Sequence, residues 1–161
     1  MIIGIDEAGK GPVIGSMFIA GIFVTSKDIL YLKTLNIKDS KKLSCKKREY
    51  IYEKIVSKIK SYYILEVKAC IIDELRKIMN MNQIINICYS KVILNLYHFN
   101  PNIIIVDACD VLENRFKNNI LKYLKKKNIN PFIVSKHNAD DRYLIVSTAS
   151  ILAKVSRDKM I

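Results

Sequence analysis

Six acidic residues stand out, because in a strongly basic chain they fall where apolar runs end. Asp6 and Glu7 close the opening string MIIGIDE. Asp107 follows directly on Ile103–Val106 (IIIV), with Asp110 three residues on, and Asp140 and Asp141 come shortly after Pro131–Ser135 (PFIVS). Each apolar run has the make-up of a buried strand, so three strand ends each deliver carboxylate. In an α/β sheet the C-terminal ends of parallel strands share one edge, where ligands bind. Carboxylates gathered there repel one another, raise some of their pKa values and cost stability. A hard divalent cation removes that penalty, and Mg2+ takes a few carboxylates with water and phosphate oxygens completing its octahedron. Asp110 and Asp141 are read as helix caps or strand terminators. Asp6, Glu7, Asp107 and Asp140 are read as metal ligands, since adjacency to buried strands recurs too often for capping alone. A basic surface around such a centre is the electrostatics of metal-dependent phosphodiester cleavage.

Gly9-Lys10-Gly11 follows the acidic pair at once. Read from Gly4, GIDEAGKG nearly matches the phosphate loop G-x-x-x-x-G-K-[ST], but Gly11 stands where Ser or Thr should hold magnesium. Asp6 and Glu7 would also lie inside the phosphate cradle, where negative charge is unfavourable. The nucleoside-triphosphatase reading therefore fails. Two glycines without side chains suit close backbone approach to a sugar-phosphate chain.

The elements that must position these groups follow from patterning. Met1–Asp6 and Val13–Val24 read as two strands of a hairpin across a glycine-rich turn. Asp39 is placed as the cap of a helix through KKLSCKKREYIYEKIVSKIKS, where Ile51, Ile55 and Ile59 recur at helical spacing. Tyr62–Ala69 reads as a third strand, and one long helix is expected from about Ile72 to Tyr97. The IIIV run is the fourth strand, Glu113–Lys127 a helix, PFIVS the fifth strand and Tyr143–Ile161 a final helix. Three strands followed by alternating helices and strands imply a mixed sheet with an α/β second half.

The 161 residues carry 27 Lys and Arg against 15 Asp and Glu, a net charge of +12, and half of them are hydrophobic. That excludes a disordered or fibrous chain and fits a single domain over residues 1–161. The longest apolar run, Val13–Val24, is interrupted by Gly15, Ser16 and Gly21 and is too short to span a bilayer. An acidic pair stands where a signal peptide would be basic, so a soluble cytoplasmic protein is expected. Cys45, Cys70, Cys88 and Cys109 are scattered without a C-x-x-C pair, which argues against a zinc knuckle or disulfide scaffold. The charge by itself fits either a polyanionic partner or a lysine-rich composition with no such partner.

Five strings, in order along nearly the whole chain, resemble type 2 ribonuclease H (ribonuclease HII), especially its archaeal branch. They are GIDEAGKGPVIGSM, DSKKLS at Asp39–Ser44, VDACDV at Val106–Val111, HNADDRY at His137–Tyr143 and STASILAKVSRD at Ser147–Asp158. The resemblance implies a ribonuclease H-like α/β fold, a five-stranded mixed sheet of three antiparallel and then parallel strands, flanked by helices. It implies an endonuclease that cuts the RNA strand of RNA–DNA hybrids and at ribonucleotides embedded in duplex DNA, leaving 3′-hydroxyl and 5′-phosphate ends. The family's four acids fall on Asp6, Glu7, Asp107 and Asp140, which would hold two Mg2+ or Mn2+ ions. Its glycine loop, which reads the 2′-hydroxyl, falls on Gly9, Lys10 and Gly11, and backbone phosphate contact is assigned to Ser40, Lys41 and Lys42. His137 is read as an ordinary surface histidine. No membrane contact is expected, and the protein is expected to be monomeric.

Two features depart from the family. Lys10 stands where Gly-Arg-Gly is usual, and Gly-Lys-Gly is typical of the sister type 3 enzymes, which lack the preference for a single embedded ribonucleotide; a point charge does not replace a planar fork. Type 2 enzymes also continue past the A-S-I-L-A-K-V helix into a helical segment bearing a substrate-stacking tyrosine, which has no counterpart before Ile161 and which Tyr143 lies too early to supply. The rival readings are therefore a ribonuclease HIII-like hybrid nuclease, a non-catalytic nucleic-acid-binding module, and a DNA nuclease or resolvase of the same fold.

Overall fold

The computed structural model describes residues 1–10, 15–37 and 40–160. Its strands are β1 (Ile2–Ala8), β2 (Met17–Val24), β3 (Tyr62–Val67), β4 (Ile103–Asp107) and β5 (Ile133–Lys136). They form one sheet in the order β3-β2-β1-β4-β5, with β1–β2 and β2–β3 antiparallel and β1–β4 and β4–β5 parallel. This is the mixed sheet expected from the sequence. Val13 and Ile14, expected in the second strand, lie outside the described residues.

Helices cover both faces. On one, α4 (Met81–Leu96) and α5 (Glu113–Lys125) pack on Ile3, Ile5, Ile104 and Val106 through Ile85, Tyr89, Val92, Phe116 and Ile120. On the other, α1 (Ser26–Lys33), α2 (Cys45–Lys58) and α7 (Leu144–Asp158) pack on Ala8, Phe18, Ala20 and Ile22. β2 is buried along its whole length because both faces are covered. The central strand β1 meets α7 at Gly4, where an added Cβ would lie 2.8 Å from the backbone carbon and oxygen of Ile145. Ala149, Ser150 and Ala153 continue a run of small buried residues along α7. The helix can therefore lie close to the strand that carries the first two acids.

Three helical expectations change. α1 was not anticipated; a capping box starts it, with Thr25 Oγ1 accepting from Asp28 N and Asp28 Oδ2 accepting from Thr25 N. The long helix from Ile72 is two helices, α3 (Ala69–Leu75) and α4, because Asn80 and Gln83 form a second capping box that restarts the chain. The third strand consequently ends at Val67, and α3 takes Ala69. α2 begins at Cys45 with Ser44 as its cap, and Lys41 and Lys42 lie before it in a separate 3-10 turn, Ser40–Lys42. Asp39, the expected cap, lies outside the described residues. A four-residue helix, α6 (Ala139–Arg142), joins β5 to α7.

Gly4→Ala is expected to destabilise the protein by about 1–3 kcal/mol, since a backbone neighbour cannot yield as a side-chain tip can. The corresponding drop is roughly 2–4 °C in Tm per kcal/mol for a domain of this size. Thermal and urea unfolding check it. Adding Ile145→Ala is expected to restore little, because the Ile145 backbone remains.

Candidate metal and nucleic-acid site

Parallel pairing of β1 with β4 sets Ile5 opposite Val106, so the next residues, Asp6 and Asp107, are neighbours at the sheet edge. Alternation along each strand turns both toward α6 and α7, as it does Gly4 and Ile105. Asp140, in α6 just past β5, completes the group. Oxygens of Asp6, Asp107 and Asp140 all lie within 4.8 Å of one another. Asp6 and Asp140 are each only 5% exposed. Glu7, one residue on, faces the opposite side of β1, where its Oε1 is 4.0 Å from Cys109 Sγ. It borders the same cleft of about 530 Å3, which opens between Lys10, Lys41 and Lys154.

Burial and mutual repulsion shape these groups. Asp6 is held well above the usual carboxylate range by burial, then by the charge of Asp107. Asp107 is pushed up to about 7 by burial and by Asp140, and burial raises Glu7 against the pull of Lys10. Asp140 Oδ1 is buried without a hydrogen-bond partner among the described residues, and Ser150 Oγ, also at this cleft, is the same. An unpartnered buried carboxylate oxygen facing two more acids fits a hard divalent cation, whose oxygen ligands these are. Asp6, Asp107 and Asp140 are the residues placed to hold it, with Glu7 beside them.

The expected substrate contacts fare differently. Gly9 has φ +93°, and an added Cβ would meet Ser16 O at 2.7 Å and the Arg157 side chain at 3.3 Å, so this turn accepts only glycine. Lys10 Nζ donates to the carbonyl of Cys109 at 2.8 Å, tying the glycine loop to the loop after β4. Gly11 and the Ser40 side chain lie outside the described residues. Lys41 Nζ stands 3.6 Å from both Asp140 Oδ2 and Asp141 Oδ2. Burial opposes its charge, but Asp140 and Asp141 prevail and raise its pKa. Lys42 follows in the same turn.

Asp141 lies within α6 and pairs with Lys41, and Asp110, although it neither ends β4 nor caps α5, braces the loop that leads into that helix. It accepts from Leu112 N and pairs with Arg115, whose hydrogen bonds hold its carboxyl down at about 2. His137 is exposed, as a surface histidine should be, yet its ring and its backbone are both engaged. Its Nε2 lies 2.7 Å from the Asp110 carbonyl, which can only accept, so this nitrogen carries the proton, and its backbone N–H donates to Glu113 Oε2. The exits of β4 and β5 are thus tied together. Ser150, Lys154 and Arg157 of α7 join the site beyond the residues to which the sequence motifs assign a role. Their spacing of four and three along α7 is the stripe that marks one helix face, and it points at the glycine loop and Glu7.

An α/β sheet whose parallel strands bring three acids together beside lysines is an arrangement suited to a divalent cation and a polyanionic ligand. The sequence model of the ribonuclease HII family matches residues 3–161. Ribonuclease HII of Methanosarcina barkeri is 47% identical over 165 residues, covering all of this chain and 72% of that protein. Ribonuclease H2 of Pyrococcus horikoshii has the same fold, with a TM-score of 0.87 at 37% identity over 98% of this chain and 72% of that one. The enzyme in a complex of PCNA with ribonuclease HII from Archaeoglobus fulgidus aligns equally well, with a TM-score of 0.87 at 36% identity over 99% and 73%. The chain belongs to the ribonuclease HII family and is a metal-dependent endoribonuclease acting on RNA–DNA hybrids. Among the described residues no helix is long and apolar enough to cross a membrane.

A carboxyl whose pKa is higher in the folded state holds its proton more tightly there, so losing it costs folding free energy. For Asp107, stability without metal is expected to fall as pH rises from about 4, its unfolded value, to about 7, and to level off above. Asp107→Asn removes the charge: its apo stability should exceed that of the parent by a margin that widens over the same interval. Its Tm should no longer rise on adding Mn2+. Differential scanning fluorimetry across pH, with and without Mn2+, checks both.

Proposed function

We propose that residues 1–161 act as one catalytic domain that cleaves the RNA strand of RNA–DNA hybrids and cuts at ribonucleotides embedded in duplex DNA, leaving 3′-hydroxyl and 5′-phosphate ends. The observation carrying this reading is the cluster of Asp6, Asp107 and Asp140 within 4.8 Å, in a chain of net charge +12. With Glu7, these are the proposed catalytic carboxylates and ligands of two Mg2+ or Mn2+ ions. Such ions supply, when bound, Lewis acidity toward the attacking water and the leaving 3′-oxygen.

The chain's own residues do the rest. The clustered acids bind and orient, with Asp140 paired to Lys41 and Glu7 facing the Cys109 thiol. Gly9 permits the turn that holds the glycine loop beside the acids, from which its backbone can meet the sugar whose 2′-hydroxyl distinguishes RNA from DNA. Gly11 is assigned the same role by its place in the loop, and Lys10 holds that loop against the Cys109 carbonyl. Lys41 neutralises Asp140 and Asp141 at rest and is within reach of a phosphate arriving at the cleft, with Ser40 and Lys42 of the same turn completing the backbone contact. A hybrid nuclease without single-ribonucleotide preference is the second reading, favoured by Lys10 at the centre of the glycine loop.

Three labelled duplexes with Mg2+ or Mn2+ test these readings: an RNA–DNA hybrid, DNA with one embedded ribonucleotide, and all-DNA. Cleavage of the first two is expected; cutting only the hybrid would select the second reading, and cutting all-DNA at a similar rate would overturn both. Asp140→Asn is expected to abolish cleavage while hybrid binding persists. Lys41→Ala should weaken binding of every duplex alike and reduce the magnitude of the slope of log K against log salt by about one, the loss of one phosphate contact. An unchanged slope removes Lys41 from the interface.

A further inference from the structure

Tyr89 lies in the middle of α4, wholly buried, yet its hydroxyl does not face a core of hydrocarbon. It donates to the backbone carbonyl of Asp107 at 3.2 Å and lies 3.4 Å from Cys109 Sγ. The ring is fixed by an edge-on contact with Phe116 of α5, centroids 5.1 Å apart. Cys109 is a junction. Its sulfur lies 3.7 Å from the Asp107 carbonyl and 4.0 Å from Glu7 Oε1, while its own carbonyl accepts from Lys10.

The position matters because the sheet stops there. The bond from Ala108 N to the Lys136 carbonyl is the final rung from β4's exit to β5, and Asp107 ends the strand. Glu7 faces this side of β1, away from the three clustered acids, so the Tyr89–Cys109 pair is what stands between its carboxylate and the backbone of Asp107. We propose that the Tyr89 hydroxyl and the Cys109 thiol form a positioning unit that sets Glu7 against Asp107, and thereby the affinity of the site for a divalent ion. The proposal rests on the reading of these acids as metal ligands. A tyrosine that only fills the core would leave metal affinity unchanged when its hydroxyl is removed.

Calorimetric titration of Mn2+ without substrate separates the cases, with urea unfolding measured alongside. Tyr89→Phe keeps the ring and its contact with Phe116. It is expected to raise the Mn2+ Kd by about tenfold, the low end for loss of a group that supports a metal ligand. In cleavage assays the half-saturating Mn2+ concentration should rise in parallel, while KM for the hybrid stays put and kcat recovers at high Mn2+. Cys109→Ala should shift the Kd in the same direction, and the double variant should add little to either single change, as members of one unit do. A Mn2+ Kd within twofold of the parent in Tyr89→Phe, even with lowered stability, overturns the proposal, and fully additive shifts overturn the pairing. Should Tyr89→Phe fail to fold, Cys109→Ala alone decides: an unchanged Kd rejects the unit. If instead Asp107→Asn binds Mn2+ as tightly as the parent, the metal-site reading itself falls.

Discussion

Three carboxylates that repel one another are held together where water cannot easily screen them, and much of the fold serves to hold them there. Parallel pairing of β1 and β4 puts Asp6 and Asp107 on adjacent strand ends, facing the same way. Neither strand can slip by one residue without turning Ile3, Ile5, Ile104 and Val106 out of the core, so burial of those side chains enforces the proximity of the acids. The third carboxylate arrives on a four-residue helix braced by α7 and by the tie from His137 to the loop after β4. At rest Lys41 offsets part of the repulsion, and the unpartnered oxygen of Asp140 marks what a cation would satisfy.

The two faces of the central strand divide the labour. Asp6 faces α7, a helix of small buried residues that can approach Gly4 closely and whose half-buried edge carries Lys154 and Arg157 toward the glycine loop. Glu7 faces the other layer, where α4 supplies Tyr89 and the loop after β4 supplies Cys109. Adjacent acids in the sequence are therefore served by different helices. The basic charge, ambiguous as composition, takes a local meaning around this edge, since Lys10, Lys41 and Lys154 border the acids.

Much of this is legible in the sequence where local pattern and final environment agree. All five strands are legible as apolar runs and the mixed sheet as their order with the helices, and acids follow three of the runs, although Asp140 comes to its place on α6 beyond β5. α1 and the break between α3 and α4 escape such a reading because capping boxes, at Thr25–Asp28 and Asn80–Gln83, outweigh weak or continuous hydrophobic periodicity. The engagement of His137 escapes it because its partners, the Asp110 carbonyl and Glu113, are more than twenty residues away in sequence.

By itself the sequence determined which residue types end each strand, and so the presence and chemistry of an acidic centre in a basic chain. That information is local: it needs only the period of the apolar residues and the identity of the residue that ends each run. Tertiary structure decided that Asp6, Asp107 and Asp140 form the close cluster while Glu7 stands apart, that Lys10 grips a carbonyl, and that Tyr89 reaches the backbone of Asp107. These depend on strand register, on which face each side chain takes and on the angle at which helices cross the sheet. Packing over the whole molecule sets all three, and no local stretch of sequence encodes them.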